Sequence, residues 1–87
     1  MLKIILPRQL LNYTDIKGEY QSNASNVQEA LNELTDSYPF LKLQIFNNDN
    51  SLRNFVNVFV NENMTENLKE PVPPNSKVQI IVAVAGG

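Results

Sequence analysis

Apolar side chains recur along this chain at two different spacings, and the places where the spacing changes divide it into elements. Leu2, Ile4, Ile5 and Leu6 form a short apolar run broken by Pro7, which predicts a strand over 2–6. A polar loop around Asn12 to Asp15 follows. "GEYQSN", residues 18–23, then predicts a second strand opened by Gly18, although only Tyr20 in it is apolar; a short loop between the two strands would make them a hairpin. Val27, Ala30, Leu31, Leu34 and Tyr38 fall at helical spacing, while Glu29, Asn32, Glu33 and Asp36 take the opposite side, so 26–38 reads as an amphipathic helix. Ser25 with Gln28 three residues on has the form of a capping box, and Pro39 ends the helix because its neighbour is forced out of helical dihedrals.

Residues 40–46, "FLKLQIF", satisfy both periods: Leu41, Leu43 and Ile45 alternate as in a strand, yet Leu41 and Ile45 are also one helical turn apart. "NNDNS", 47–51, is a loop. "FVNVFVN", 55–61, is the clearest strand, with Val56, Val58 and Val60 on one face and Phe55, Asn57 and Phe59 on the other. Asn57 would be unfavourable inside without partners, so the valines take the core side. Phe55 and Phe59 then lie either beneath the long 62–76 segment or in a partner-binding patch. "NENM" turns the chain, and Pro71, Pro73 and Pro74 exclude a helix or central strand from the segment after it. Pro74-Asn75 suits a tight turn, after which "KVQIIV" predicts a last strand with Val78, Ile80 and Val82 inward. The order strand, strand, helix, strand, irregular crossover, strand describes an α+β fold, one sheet with a helix across one face.

Composition narrows what such a domain can do. Eighty-seven residues are expected to form one domain, 1–87, with an economical core. Hydrophobic residues at 43% and charged residues at 18% are those of an ordinary globular protein. The longest apolar run, Ile80 to Ala85, is far short of the roughly 20 residues that cross a bilayer, and "MLKIILPRQ" is too soon interrupted for a secretory signal; no membrane association and a cytoplasmic location are the expectation. Net charge is −2 and the seven basic residues are scattered, so nucleic acid is not an expected partner. Arg53, beside Phe55, is either a solvated surface arginine or a contact for an acidic patch on a partner. The chain has no cysteine and no histidine, which removes thiolate chemistry, imidazole bases and ordinary zinc sites together; no metal site is expected.

What remains is the ending. Two of the three glycines are the last two residues, Gly86 and Gly87. At a usage of about 7%, a terminal pair arises by chance in roughly one chain in two hundred, so the ending is treated as a feature. "FVNVFVN", followed about twenty residues later by a turn, a Val/Ile strand and "AVAGG", resembles the ubiquitin-like sulfur carriers of the ThiS and MoaD group, and within it the CysO-type carriers of cysteine biosynthesis. "YP.L" at 38–41 and "LR.FVNVFVN" at 52–61 fall at the family's spacing, and Pro74-Asn75 stands where Asp-Gly is usual.

The resemblance implies a β-grasp fold, with one mixed sheet of four to five strands, one main helix, and a short helical segment at 40–46. It also implies a protein that is not an enzyme and binds no cofactor itself. The carboxylate of Gly87 would be joined to AMP by a separate E1-like adenylyltransferase of the MoeB/ThiF type, which uses the ATP, and then converted to a thiocarboxylate. The sulfur acceptor would be an enzyme such as a cysteine synthase. The small subunit of molybdopterin synthase, bound to its large subunit, is the alternative; thiazole synthesis, a ubiquitin-like protein modifier and a plain binding module rank lower. Gly86 and Gly87, lacking side chains, pass a narrow slot, and Ala83, Val84 and Ala85 offer backbone contacts to the partner. Five residues, 83–87, reach at most about 17 Å as a flexible tail. The partner-binding candidates are Phe55, Phe59, Arg53, Ala83, Val84 and Ala85.

Overall fold

The computed structural model describes residues 1–83. The chain runs β1 (Leu2–Ile5), α1 (Arg8–Leu11), β2 (Glu19–Ser22), α2 (Val27–Ser37), α3 (Pro39–Ile45), β3 (Val56–Val60), β4 (Asn63–Thr65) and β5 (Lys77–Val82). The strands form one five-stranded mixed sheet in the order β2-β1-β5-β3-β4. β1 and β5 are parallel neighbours at its centre, with Ile4 opposite Val78; every other pair is antiparallel. The strands nearest the two ends of the chain are therefore the innermost ones, and α2 and α3 cover one face.

Strand alternation and helical periodicity meet in a single core. Leu2, Ile4, Val56, Val58, Val78 and Ile80 point from the sheet into the helical layer, where Val27, Ala30, Leu31, Leu34, Leu41 and Ile45 meet them, all buried. Each aliphatic side chain so placed contributes about 1.5–3 kcal/mol by leaving water.

Several local expectations are corrected. The first two strands do pair antiparallel, Leu2 opposite Ser22, but the connection is long and contains the one-turn helix α1, whose Leu10 is buried and pins it to the core. The cap of α2 is Asn26, not Ser25: Asn26 Oδ1 accepts the Glu29 N–H at 2.8 Å, and the Ser25 carbonyl instead accepts the Val72 N–H at 3.0 Å. An extended asparagine at the first position outside the helix satisfies one of the orphan donors as a serine would. Residues 40–46 are helical through Ile45, with Pro39 in the first turn, where its missing N–H is not needed. Leu41 and Ile45 are buried and Leu43 is exposed, the helical outcome of the ambiguous pattern.

"NENM" turns the chain as expected but also begins a further strand, β4, while the proline-bearing segment after it holds neither helix nor strand. Asn61 and Glu62 both have positive φ, 48° and 75°, the twist of a two-residue hairpin turn, and β4 pairs back with Val60 opposite Asn63. The Pro74-Asn75 turn forms as expected, with Asn75 at φ 63°. No helix among the described residues is long and apolar enough to cross a membrane.

Candidate functional site

β5 is the strand that leads to the last residues of the chain, and its neighbours hold it unequally. Pairing with β1 covers Lys77 to Gln79 and stops where β1 gives way to Pro7, whereas pairing with β3 continues to Val82 opposite Val56. One residue further, the Ala83 N–H donates to the Phe55 carbonyl at 2.8 Å. The root of the C-terminal segment is thus fixed on the β3 side up to Ala83. Val84, Ala85, Gly86 and Gly87 lie outside the described residues.

The residues around that root form a connected group. The Arg53 guanidinium lies 4.9 Å from the Phe55 ring centroid, and its Nη1 donates to the Leu43 carbonyl of α3 at 3.3 Å. A cation over an aromatic face, partly desolvated, is a favourable contact of about 0.5–2 kcal/mol. Arg53 is half-buried, and its Nε is shut away from water without a hydrogen-bond partner, so it is not a freely solvated surface arginine, one of the two roles open to it from sequence. Phe55 packs partly against the core. Of the partner-binding candidates, the fold therefore gathers Arg53, Phe55 and Ala83 at one place.

Phe59 lies elsewhere, on the sheet face away from the helices. Register places Ile5 between Glu19 and Gln79, and Phe59 between Gln79 and Met64, so these five residues form one row across the outer face. Asn57 faces Ile81 in the next row. Phe59 is half-buried there among neighbours on its own face, while Met64 and Ile81 are exposed.

Charges of both signs lie near this end of the molecule: Lys42 is on α3 and Arg53 beside it, Asp15 accepts from the Tyr38 hydroxyl at the start of α3, and Asp49 follows its end, while Lys77 sits at the other end of β5, opposite Lys3. Glu33 accepts from the Ser22 and Tyr20 hydroxyls, and Asp49 accepts from Ser51, whose donors hold its carboxyl below the usual range. No group of three acidic side chains that could hold a metal ion occurs among the described residues. Grooves of about 300 Å³ flank β4 and the 66–69 turn; they are lined largely by amides, prolines and aliphatics, with Glu70 in the first and Glu66 and Lys69 in the second. The described residues thus fix the course of β5 up to Ala83.

Sequence reasoning missed two features. Asn61 donates from Nδ2 to Ser76 Oγ at 3.1 Å and accepts the Lys77 N–H at Oδ1 at 2.9 Å, tying the β3–β4 turn to the start of β5. Phe40 and Leu43 stand out on α3, 73% and 61% exposed. The helical reading of 40–46 would have shown Leu43 opposite Leu41 and Ile45 and so facing solvent.

A mixed sheet with parallel first and last strands at its centre and a helix packed across it defines the ubiquitin-like β-grasp class. The chain belongs to the ThiS family, whose profile matches residues 7–87. Carriers of this kind are not themselves catalytic. Among solved structures, the chain is similar to CysO in the BexX/CysO complex from Amycolatopsis orientalis, with a TM-score of 0.85 and 22% identity over 100% of both chains. It is similar to CysO from Mycobacterium tuberculosis at a TM-score of 0.81 and 18% identity, over 97% of this chain and 100% of the other. Small archaeal modifier protein 1 from Methanosarcina acetivorans aligns at a TM-score of 0.83 and 26% identity, over 99% of this chain and 95% of that one. No curated protein sequence matches the chain significantly.

Proposed function

We propose that this protein is a sulfur carrier whose reactive group is the carboxylate of Gly87. An adenylyltransferase of the MoeB/ThiF type attaches AMP to that carboxylate from ATP, releasing pyrophosphate. A persulfide sulfur attacks the acyl carbon, AMP leaves, and a thiol cleaves the resulting sulfur–sulfur bond, which leaves a thiocarboxylate on the chain. The thiocarboxylate donates its sulfur to a cysteine synthase acting on an activated serine derivative. Gly86 and Gly87 admit the backbone to a narrow active-site slot, and Ala83, Val84 and Ala85 make strand-like contacts along the way.

The observation that carries this reading is that the family match runs through to Gly87 while Ala83 is already bonded to Phe55. The four residues after that anchor reach at most about 14 Å, enough to enter a partner while the sheet stays outside. The absence of cysteine and histidine leaves the carrier itself no competing nucleophile of those kinds. The likeness to CysO favours cysteine biosynthesis over the small subunit of molybdopterin synthase. The likeness to small archaeal modifier protein 1 favours a second reading, transfer of the activated glycine to a lysine of a target protein.

Intact-mass analysis of the protein isolated from its own cell tests the proposal. The expected species has one carboxylate oxygen replaced by sulfur at Gly87. A population carrying only the plain carboxylate under sulfur demand, or a native chain that continues past Gly87 untrimmed, refutes it. Lysine-linked conjugates without thiocarboxylate select the modifier reading.

A further inference from the structure

Beyond Gln79, β5 is paired on one side only, because its register with β1 ends there while that with β3 continues to Val82. The last bond on that side, from the Ala83 N–H to the Phe55 carbonyl at 2.8 Å, therefore sets the direction in which the chain leaves the sheet. Phe55 lies outside β3 (Val56–Val60), in a turn closed by the Val56 N–H donating to the Arg53 carbonyl at 3.0 Å. That turn, rather than the strand, orients the carbonyl on which Ala83 is hung.

Arg53 ties the turn to α3. Its N–H donates to the Ile45 carbonyl at 3.0 Å and its Nη1 to the Leu43 carbonyl at 3.3 Å, so one residue satisfies two of the last four carbonyls of the helix. Its guanidinium carbon stands 4.9 Å from the centroid of the Phe55 ring. This arrangement is not the most stable one for the space, since Nε is buried with no hydrogen-bond partner among the described residues. An unbranched apolar side chain of similar length would fill the site and leave no donor unmet, so packing alone does not account for an arginine there.

We propose that Arg53 is a positioning residue for adenylation: by clamping the Phe55 turn against the end of α3 it fixes the Phe55 carbonyl, and through it the angle at which the chain departs from Ala83. This rests on the carrier reading and adds to it the group that aims the C-terminal segment. The partner has to hold the body of the carrier and its last residues at once, so the angle between the two must match its active site. Gly87 is four residues past Ala83, a reach of up to about 14 Å, and over that length a change of about 10° at the root displaces the terminal carboxylate by up to about 2.4 Å. A misplacement of about 1 Å is enough to slow a positioned reaction by up to about a hundredfold.

The test combines ATP–pyrophosphate exchange by the purified ThiF-type adenylyltransferase of the same cell, measured against the concentration of the full-length chain, with amide hydrogen exchange of the carrier alone. In Arg53→Met the Ala83 amide should exchange about tenfold faster, while those of Val58 and Ile80, paired at the middle of the sheet, stay as in wild type. kcat should fall about tenfold with KM within twofold of wild type, the split expected when docking is intact and the reacting group is misaimed. Both backbone bonds of Arg53 survive this substitution, so the urea midpoint should not move. Phe55→Leu keeps the carbonyl and removes the ring beneath the guanidinium; it should reproduce part of the loss, and the double variant should be no worse than Arg53→Met, because the two side chains act as one unit. A kcat within twofold of wild type in Arg53→Met, or losses that multiply in the double variant, overturns the proposal and leaves the carrier reading standing. So does a rise in KM at constant kcat, which makes Arg53 a contact for the partner, or an acceleration at Val58 and Ile80 equal to that at Ala83, which makes it a general support of the fold. No pyrophosphate exchange with the wild-type chain overturns both readings.

Discussion

Asn61→Ala should destabilise the protein by about 2–4 kcal/mol, well beyond the effect of an ordinary surface substitution. Three structural contributions make up that figure. The Nδ2 bond to Ser76 Oγ is part-buried and is worth about 1 kcal/mol net, and the Oδ1 bond from the Lys77 N–H, which is exposed, about half of that. The backbone at φ 48° adds a further penalty of about 1–2 kcal/mol for alanine, because asparagine tolerates the left-handed region and a β-carbon without a local hydrogen bond does not. Against a total stability of about 5–15 kcal/mol this is a severe loss for a solvent-facing residue. Urea unfolding followed by circular dichroism measures it. Asn61→Asp provides the internal comparison: it tolerates the same φ and keeps an acceptor for Lys77, losing only the donor to Ser76, so it should cost about 1 kcal/mol. Ser76 keeps its bond to the Pro73 carbonyl in both variants. A loss below about 1 kcal/mol for alanine, or equal losses for alanine and aspartate, would show that the turn does not hold the start of β5 in place.

Other consequences stem from burial, ionisation and the C-terminal residues. Leu31→Ala removes a side chain with no exposed surface at the centre of α2 and should cost about 2–5 kcal/mol by the same unfolding measurement; a loss below about 1 kcal/mol would mean that the α2 face is not the core. The Tyr38 hydroxyl donates to Asp15, and that bond, aided by desolvation, raises the phenol above its usual value of 10.0. Because the folded value is the higher one, the stabilisation is complete below the unfolded value and is lost as pH rises through the raised folded value. The gap in urea midpoint between wild type and Tyr38→Phe should therefore narrow as pH rises past about 10; a constant gap would contradict the hydrogen bond as the cause. Deleting Gly87 should leave the unfolding curve unchanged and abolish adenylation, so retained activity would remove that residue from the chemistry.

Much of this fold was written into local spacing. The alternation of 2–6, 55–61 and 77–82, the helical face from Val27 to Leu34 and the left-handed asparagine after Pro74 each arise from properties of a few adjacent residues, and each is found in the structure. Arg53 and Phe55 could be nominated from sequence as near neighbours, but the bond from the Ala83 N–H to the Phe55 carbonyl joins residues nearly thirty positions apart and needs the β3–β5 register.

By itself, then, the sequence determined which segments could be strands or helices and, through its lack of cysteine and histidine, which chemistry its side chains could not perform. Only the tertiary structure decided that 40–46 is a helix, because its apolar residues satisfy both periods and the position of the core selects one. It also decided that Asn26 rather than Ser25 caps α2: the Asn26 side chain accepts the Glu29 N–H, while Ser25 lies one residue further out with its carbonyl paired to Val72 from a distant segment. Most consequentially, it placed β5 between β1 and β3, where pairing with β1 ends at Gln79 and pairing with β3 carries the chain on to Ala83. Periodicity records how each segment meets a surface; which surface it meets depends on contacts between residues far apart in the chain.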